Sequence, residues 1–287
     1  MKKKIVLALM LAVSLVLAAC GNTEGDGEGG DTTELTFGIN NWAENIAVSN
    51  MWKILLAEEG YEVTLKELEK GPVWTGIAQG DLDVAPEVWL PFTDAPLYEQ
   101  YEEDVVLGDV WYEGTALGLA VPTYMEDLNS LDQLNDYADD LGNRIVGIDA
   151  GSSLVGITGD AVDEYSWTLD LVPSSEPAMM TELDKAYQKQ EPIVVTLWSP
   201  HWAFAEYDLK YLEDPKGVYG EPDDIMFMTR TDFEKDHPEV WEYLQNWSMD
   251  DATLGSLMAT INETGDPVEG AQQWIDENRD LVDSWME

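Results

Sequence analysis

Short apolar runs alternating with amphipathic stretches organise this 287-residue chain. The run LTF, from residue 35, ends in Gly38-Ile39-Asn40. A helical pattern follows, then the strand-like YEVTLKEL, a second helical stretch PVWTGIAQG, and a β-rich run ending in Val88-Trp89-Leu90-Pro91. The succession then returns. RIV ends in Gly147-Ile148-Asp149, and WTLDLV, AMMTELDKAYQKQ and a run ending in Leu197-Trp198-Ser199-Pro200 complete it. Gly147 stands against Gly38 and Trp198 against Trp89, both at an offset of 109, so the chain carries an internal duplication. Strands alternating with helices build βαβ units and a mostly parallel sheet.

Two α/β lobes are therefore expected, lobe 1 from residues 35–120 and 226–287 and lobe 2 from 121–225. The joints would be LGLAVP (117–122) and a return crossing near IMFMTR. In such sheets ligands sit beyond the carboxyl ends of the strands, where both Gly-Ile triplets and both Trp-x-Pro motifs fall. The four segments would surround one cleft, as in a hinged binding protein that closes on its ligand. Beyond Arg230 the pattern is helical, and Trp241, Trp247, Trp274 and Trp285 have apolar neighbours at helical spacing, which marks them as packing residues.

The N-terminus has the form of a processing signal. Lys2, Lys3 and Lys4 precede an apolar run from Ile5 to Ala19, too short to span a bilayer comfortably. Leu17-Ala18-Ala19-Cys20 resembles the lipobox of bacterial lipoproteins, which implies a signal peptide over 1–19 and a lipid on Cys20, the only cysteine. Residues 20–34, Gly-rich and acidic, would tether the folded body to the outer face of the membrane.

With 58 acidic against 14 basic residues the formal charge is −44, which makes nucleic acid a poor partner. The acid is spread along the chain and not gathered in a tail, a pattern suited to high external salt, which screens self-repulsion.

Against that background the tryptophans need a reason. Trp42 follows the first Gly-Ile triplet, and Trp89 and Trp198 hold equivalent Trp-x-Pro positions. Three indoles converging from strand ends form a box suited to a quaternary ammonium, which offers no hydrogen bond but is drawn to electron-rich ring faces.

The segments NWAE, WLP, GID-x-G, WSPHW and LKYLEDPKGVYG together resemble the substrate-binding proteins of osmoprotectant ABC importers, the glycine betaine and choline binders. The resemblance runs from about residue 34 to the C-terminus. It implies a type II periplasmic-binding-protein fold, an aromatic cage of Trp42, Trp89 and Trp198, and partnership with a membrane permease and an ATPase. It also implies that the backbone N–H groups of Gly147 and Ile148 receive a ligand carboxylate, a role physically apt where a strand leads into a helix start.

One position departs from the family. Where the betaine binders place a carboxylate-holding His, five residues after the WLP tryptophan, this chain has Asp94, which cannot donate when ionised. The expectation is that Asp94 turns away, as a solvated loop residue or as the N-cap before APLYEQY. Choline is the main rival ligand, with Glu44 at the spacing where choline binders carry an acid, and carnitine is another. His201, inside WSPHW, either lines the cleft or orients its loop.

An unrelated reading is a carbohydrate-binding or glycoside-hydrolysing lipoprotein with Glu87 and Asp94 or Glu44 as an acid/base pair. The chain has no P-loop, GxSxG elbow or HExxH, and neither a cofactor nor a metal site is expected.

Overall fold

The computed structural model describes residues 33–287. The expected signal peptide, Cys20 and nearly all of the expected tether lie outside the described residues. Two five-stranded sheets flanked by helices form two lobes.

The first sheet is built from β1 (Glu34–Ile39), β2 (Glu62–Glu67), β3 (Val84–Leu90), β4 (Val105–Tyr112) and a strand that returns late in the chain. The second contains β5 (Ala116–Pro122), β6 (Arg144–Val146), β7 (Asp170–Val172), β8 (Val195–Ser199) and β9 (Leu209–Tyr211), and the late strand of the first is β10 (Asp224–Arg230). The orders are β2-β1-β3-β10-β4 and β7-β6-β8-β5-β9. These match position by position, as the duplication requires. In each sheet one strand is antiparallel to both neighbours, β10 in the first and β5 in the second, while the other four run one way. The odd strand is in each case the one that enters from the other lobe.

Since β5 pairs with β8 and β9, the outgoing crossing falls at 113–115, ahead of LGLAVP, and the return at 212–223. The crossings are bonded to each other. The Thr115 N–H donates to the Asp223 carbonyl at 2.8 Å, and the Asp223 N–H to Thr115 Oγ1 at 3.1 Å.

Helices α1 (Ala43–Glu58), α2 (Lys70–Gln79) and α3 (Ala95–Tyr101) belong to the first repeat, and α4 (Ser153–Tyr165) and α5 (Glu176–Lys189) to the second. A short helix, α6 (Ala203–Glu206), follows β8, and α7 (Phe233–Asp236), α8 (Pro238–Asn246), α9 (Asp251–Thr264), α10 (Pro267–Glu277) and α11 (Arg279–Trp285) complete the chain. The C-terminal helices pack on the first lobe, α9 and α10 on α1 and α8 on β4. Indoles hold this junction: Trp111 of β4 stacks on Trp247 at 4.1 Å, and Trp52 of α1 meets Trp247 edge-on at 5.6 Å. Trp247, Trp274 and Trp285 are buried, as their helical spacing predicts, whereas Trp241 is half-buried against Phe227.

Sheet 1 is closely packed where β10 shifts register around Phe227. A Cβ on Gly108 of β4 would fall 1.9 Å from Phe227 Cζ, and the ring is fully buried. Gly108→Ala is therefore expected to destabilise the fold by about 1–3 kcal/mol through overpacking. Urea unfolding measures this, and an unchanged midpoint would mean that the ring has room to move.

Candidate functional site

Trp42, Trp89 and Trp198 come together. Trp42 is the N-cap residue of α1, just beyond β1, and Trp89 and Trp198 lie near the carboxyl ends of β3 and β8. All three are buried and line one cavity between the lobes, whose empty volume with its mouth is about 330 Å³. Trp42 and Trp198 meet edge to face, their rings 6.5 Å apart and inclined by 61°.

Two of the indoles are fixed from the opposite lobe. Trp42 Nε1 donates to Asp149 Oδ2 at 2.9 Å, and Trp198 Nε1 donates to Glu44 Oε2 at 2.8 Å. Each bond satisfies a buried indole N–H and also ties one lobe to the other; the third indole, Trp89, has no acceptor for its Nε1.

Glu44, in the first turn of α1, lines the cavity and is fully buried. Beside it lies Glu87, also buried, which accepts from Asn45 Nδ2 at 2.6 Å. Burial raises both carboxyls above the ordinary range. For Glu44 the charges of Glu87 and Glu176 add to the rise; for Glu87 the nearby Lys70 ammonium opposes it. Two carboxyls side by side in a low-dielectric site do not both ionise freely, so the pair holds a proton more tightly than a solvated carboxyl does.

Asp94 departs from expectation. It occupies the N-cap position of α3 but makes no side-chain capping bond, and it is not solvated. Its Oδ2 lies 2.6 Å from Lys70 Nζ and accepts the Trp89 N–H at 2.9 Å, while Oδ1 accepts Ser153 Oγ at 3.0 Å. A buried ammonium is a stronger partner for a carboxylate than the first turn of a seven-residue helix.

Gly147 and Ile148 also differ from expectation, because their N–H groups are taken. That of Gly147 extends the β6–β7 ladder to the Val172 carbonyl at 2.9 Å, and that of Ile148 reaches Thr196 Oγ1 at 3.2 Å. The open donors come a few residues later. Ser153 and Leu154 line the cavity at the start of α4, where the first N–H groups of a helix have no intrahelical acceptor. Ser152 caps the helix through Val155 N at 3.2 Å. Sequence reasoning found the strand-to-helix segment and missed the donors within it; the signal was Ser-Ser ahead of an apolar helical run.

His201 does not line the cavity. Its Nδ1 accepts the Ala203 N–H at 3.0 Å, so Nε2 carries the proton and donates to Glu176 Oε1 at 3.1 Å. The ring stands edge-on behind Trp198 at 4.6 Å. Glu176 Oε2 in turn accepts the Ala43 N–H at the start of α1, another bond between the lobes. Glu87 and Asp94, weighed as an acid/base pair, are both buried and committed to other side chains. Lys70 and Thr93 line the cavity too, and the sequence pattern singled out neither. Thr93 is fixed to the hinge, its N–H donating to Asp223 Oδ2 at 2.9 Å beside the Phe92 N–H on Oδ1 at 2.6 Å.

A family model for the substrate binding domain of ABC-type glycine betaine transport systems matches residues 33–277. The glycine betaine/carnitine transport binding protein GbuC of Listeria monocytogenes is 37% identical over 163 residues, covering 54% of this chain and 53% of that protein. The chain thus aligns with about half the length of that curated relative. Lactococcal OpuAC, in a closed form complexed with glycine betaine, superposes with a TM-score of 0.83 at 31% identity, over 88% of this chain and 99% of that one. The glycine/betaine/L-proline-binding protein ProX of Borrelia burgdorferi gives 0.84 at 29% identity, over 88% and 97%.

The acid pair has a consequence for stability. A carboxyl held above its ordinary value of 4.5 in the fold contributes stability that is complete below that value and is lost as pH rises through the folded one. The unsubstituted protein is therefore expected to lose stability relative to Glu44→Gln as pH rises from about 4.5, since Gln keeps the bonds without the titration. Urea unfolding across pH reads the difference, and parallel curves would place the proton elsewhere.

Proposed function

This chain belongs to the family of substrate-binding domains of ABC-type glycine betaine transport systems, and from that premise we propose that it captures glycine betaine or a close zwitterionic relative such as carnitine outside the cell. The observation that carries the reading is the convergence of Trp42, Trp89 and Trp198, from both lobes, on one cavity. A trimethylammonium group there gains up to about 2 kcal/mol per desolvated ring. The ligand's carboxylate lies at the start of α4, where the N–H groups of Ser153 and Leu154 and the positive end of the helix favour an anion.

The closed cleft then passes its ligand to a membrane permease driven by an ATPase, and no bond is made or broken in the process. The Leu17-Ala18-Ala19-Cys20 motif supports a lipid anchor on Cys20 at the outer face of the membrane. The buried acid pair beside the cage supports a second reading, a cation without a carboxylate such as choline.

Calorimetric titration with glycine betaine and choline side by side in high salt separates the two readings. Betaine preference is expected, and binding of neither ligand would reject both. Trp89→Ala and Trp198→Ala should each weaken binding about 10-fold or more; unchanged affinity in both would remove the cage. In cells, Cys20→Ala is expected to shift the protein from the membrane fraction to the soluble one, and full retention would argue against the anchor.

A further inference from the structure

Lys70 is unusual in so acidic a protein. It is the only lysine or arginine buried among the described residues, with 2% of its surface exposed. It opens α2, lines the same cavity as the three tryptophans, and places Nζ 5.1 Å from the ring centroid of Trp42. Its one ion-pair contact among the described residues is Asp94, at 2.6 Å, and the buried Glu87 also lies within its field.

An ammonium has three donors, and a buried donor without an acceptor is costly. Asp94 takes one. The others belong to a group that borders the cavity where the indole face of Trp42 offers no lone pair. Asp94 also accepts Ser153 Oγ at 3.0 Å, so the same carboxylate ties Lys70 to the first turn of α4, where the Ser153 and Leu154 N–H groups are open. Lys70 and those N–H groups thus converge on one side of the cavity, and all of them suit an anion.

We propose that Lys70, held in place by Asp94, is the residue that selects zwitterions, its ammonium binding the ligand's carboxylate together with the first N–H groups of α4. The proposal rests on the betaine reading above and assigns its specificity. A ligand with a carboxylate completes the Lys70 donors. A cation without one leaves them open and places a second positive charge close by. Two unit charges about 6 Å apart at an effective dielectric near 20 shift a binding constant roughly 100-fold, an upper bound here because Asp94 and the nearby Glu87 offset part of the field.

The test is titration of the purified full-length protein, unsubstituted and as the double variant Lys70→Met/Asp94→Asn, which removes both buried charges so that neither is left unpaired. The double variant is expected to bind glycine betaine at least about 10-fold more weakly while holding choline as well as before or better. Equal weakening for both ligands, or no change for either, overturns the proposal while leaving the betaine reading intact. A second measurement needs no variant. In the unsubstituted protein, acetate should fill the carboxylate position and tighten choline binding several-fold. Choline affinity indifferent to acetate overturns the assignment. An unsubstituted protein that binds neither ligand removes the parent reading and this proposal together.

Discussion

A buried indole N–H is costly without an acceptor, and two tryptophans of the cavity find theirs in the opposite lobe, whereas Trp89 Nε1 has none. Trp42 donates to Asp149 and Trp198 to Glu44, so the bonds that satisfy the cavity walls also bring the lobes together. The Glu176 contact to the N-terminus of α1 is a third link of this kind, stiffened by His201. Separating the lobes would break all three bonds and part the aromatic walls, since Trp42 and Trp89 belong to one lobe and Trp198 to the other.

Carboxylates do most of the internal positioning. The chain carries a formal charge of −44, and most acids among the described residues are not buried. Those that entered the cleft have different duties, set by their partners. Glu44 is buried beside Glu87 and accepts an indole N–H, Asp94 is paired with Lys70, Asp149 is an acceptor for another indole, and Asp223 gathers the Thr93 loop onto the hinge. The result is a cavity lined by indoles, a buried acid and a buried ammonium together.

The duplication explains why the cavity lies where it does. Each repeat ends its strands at the same edge of its own sheet, and the exchange of β5 and β10 between the lobes turns the two edges toward each other. Asp223 sits at the crossing and bonds Thr115 as well as the loop after Trp89, so hinge and cavity wall share a residue.

The sequence by itself determined the two-lobed α/β plan, the repeat, the strand ends and the three tryptophans that meet. These are local patterns, apolar periodicity and motifs at a constant offset, and burial follows them directly. The fate of individual polar groups was legible only in part. The start of α4 was marked as favourable to anions, but the donors of Gly147 and Ile148 proved to be claimed by a neighbouring strand and a threonine. Asp94 was visible as a departure from the family, yet its partner Lys70 comes from another helix. Only the tertiary structure decided these pairings, because a buried donor or acceptor goes to the best partner that folding brings within reach. That competition is settled between segments distant in the chain, and no periodicity records it.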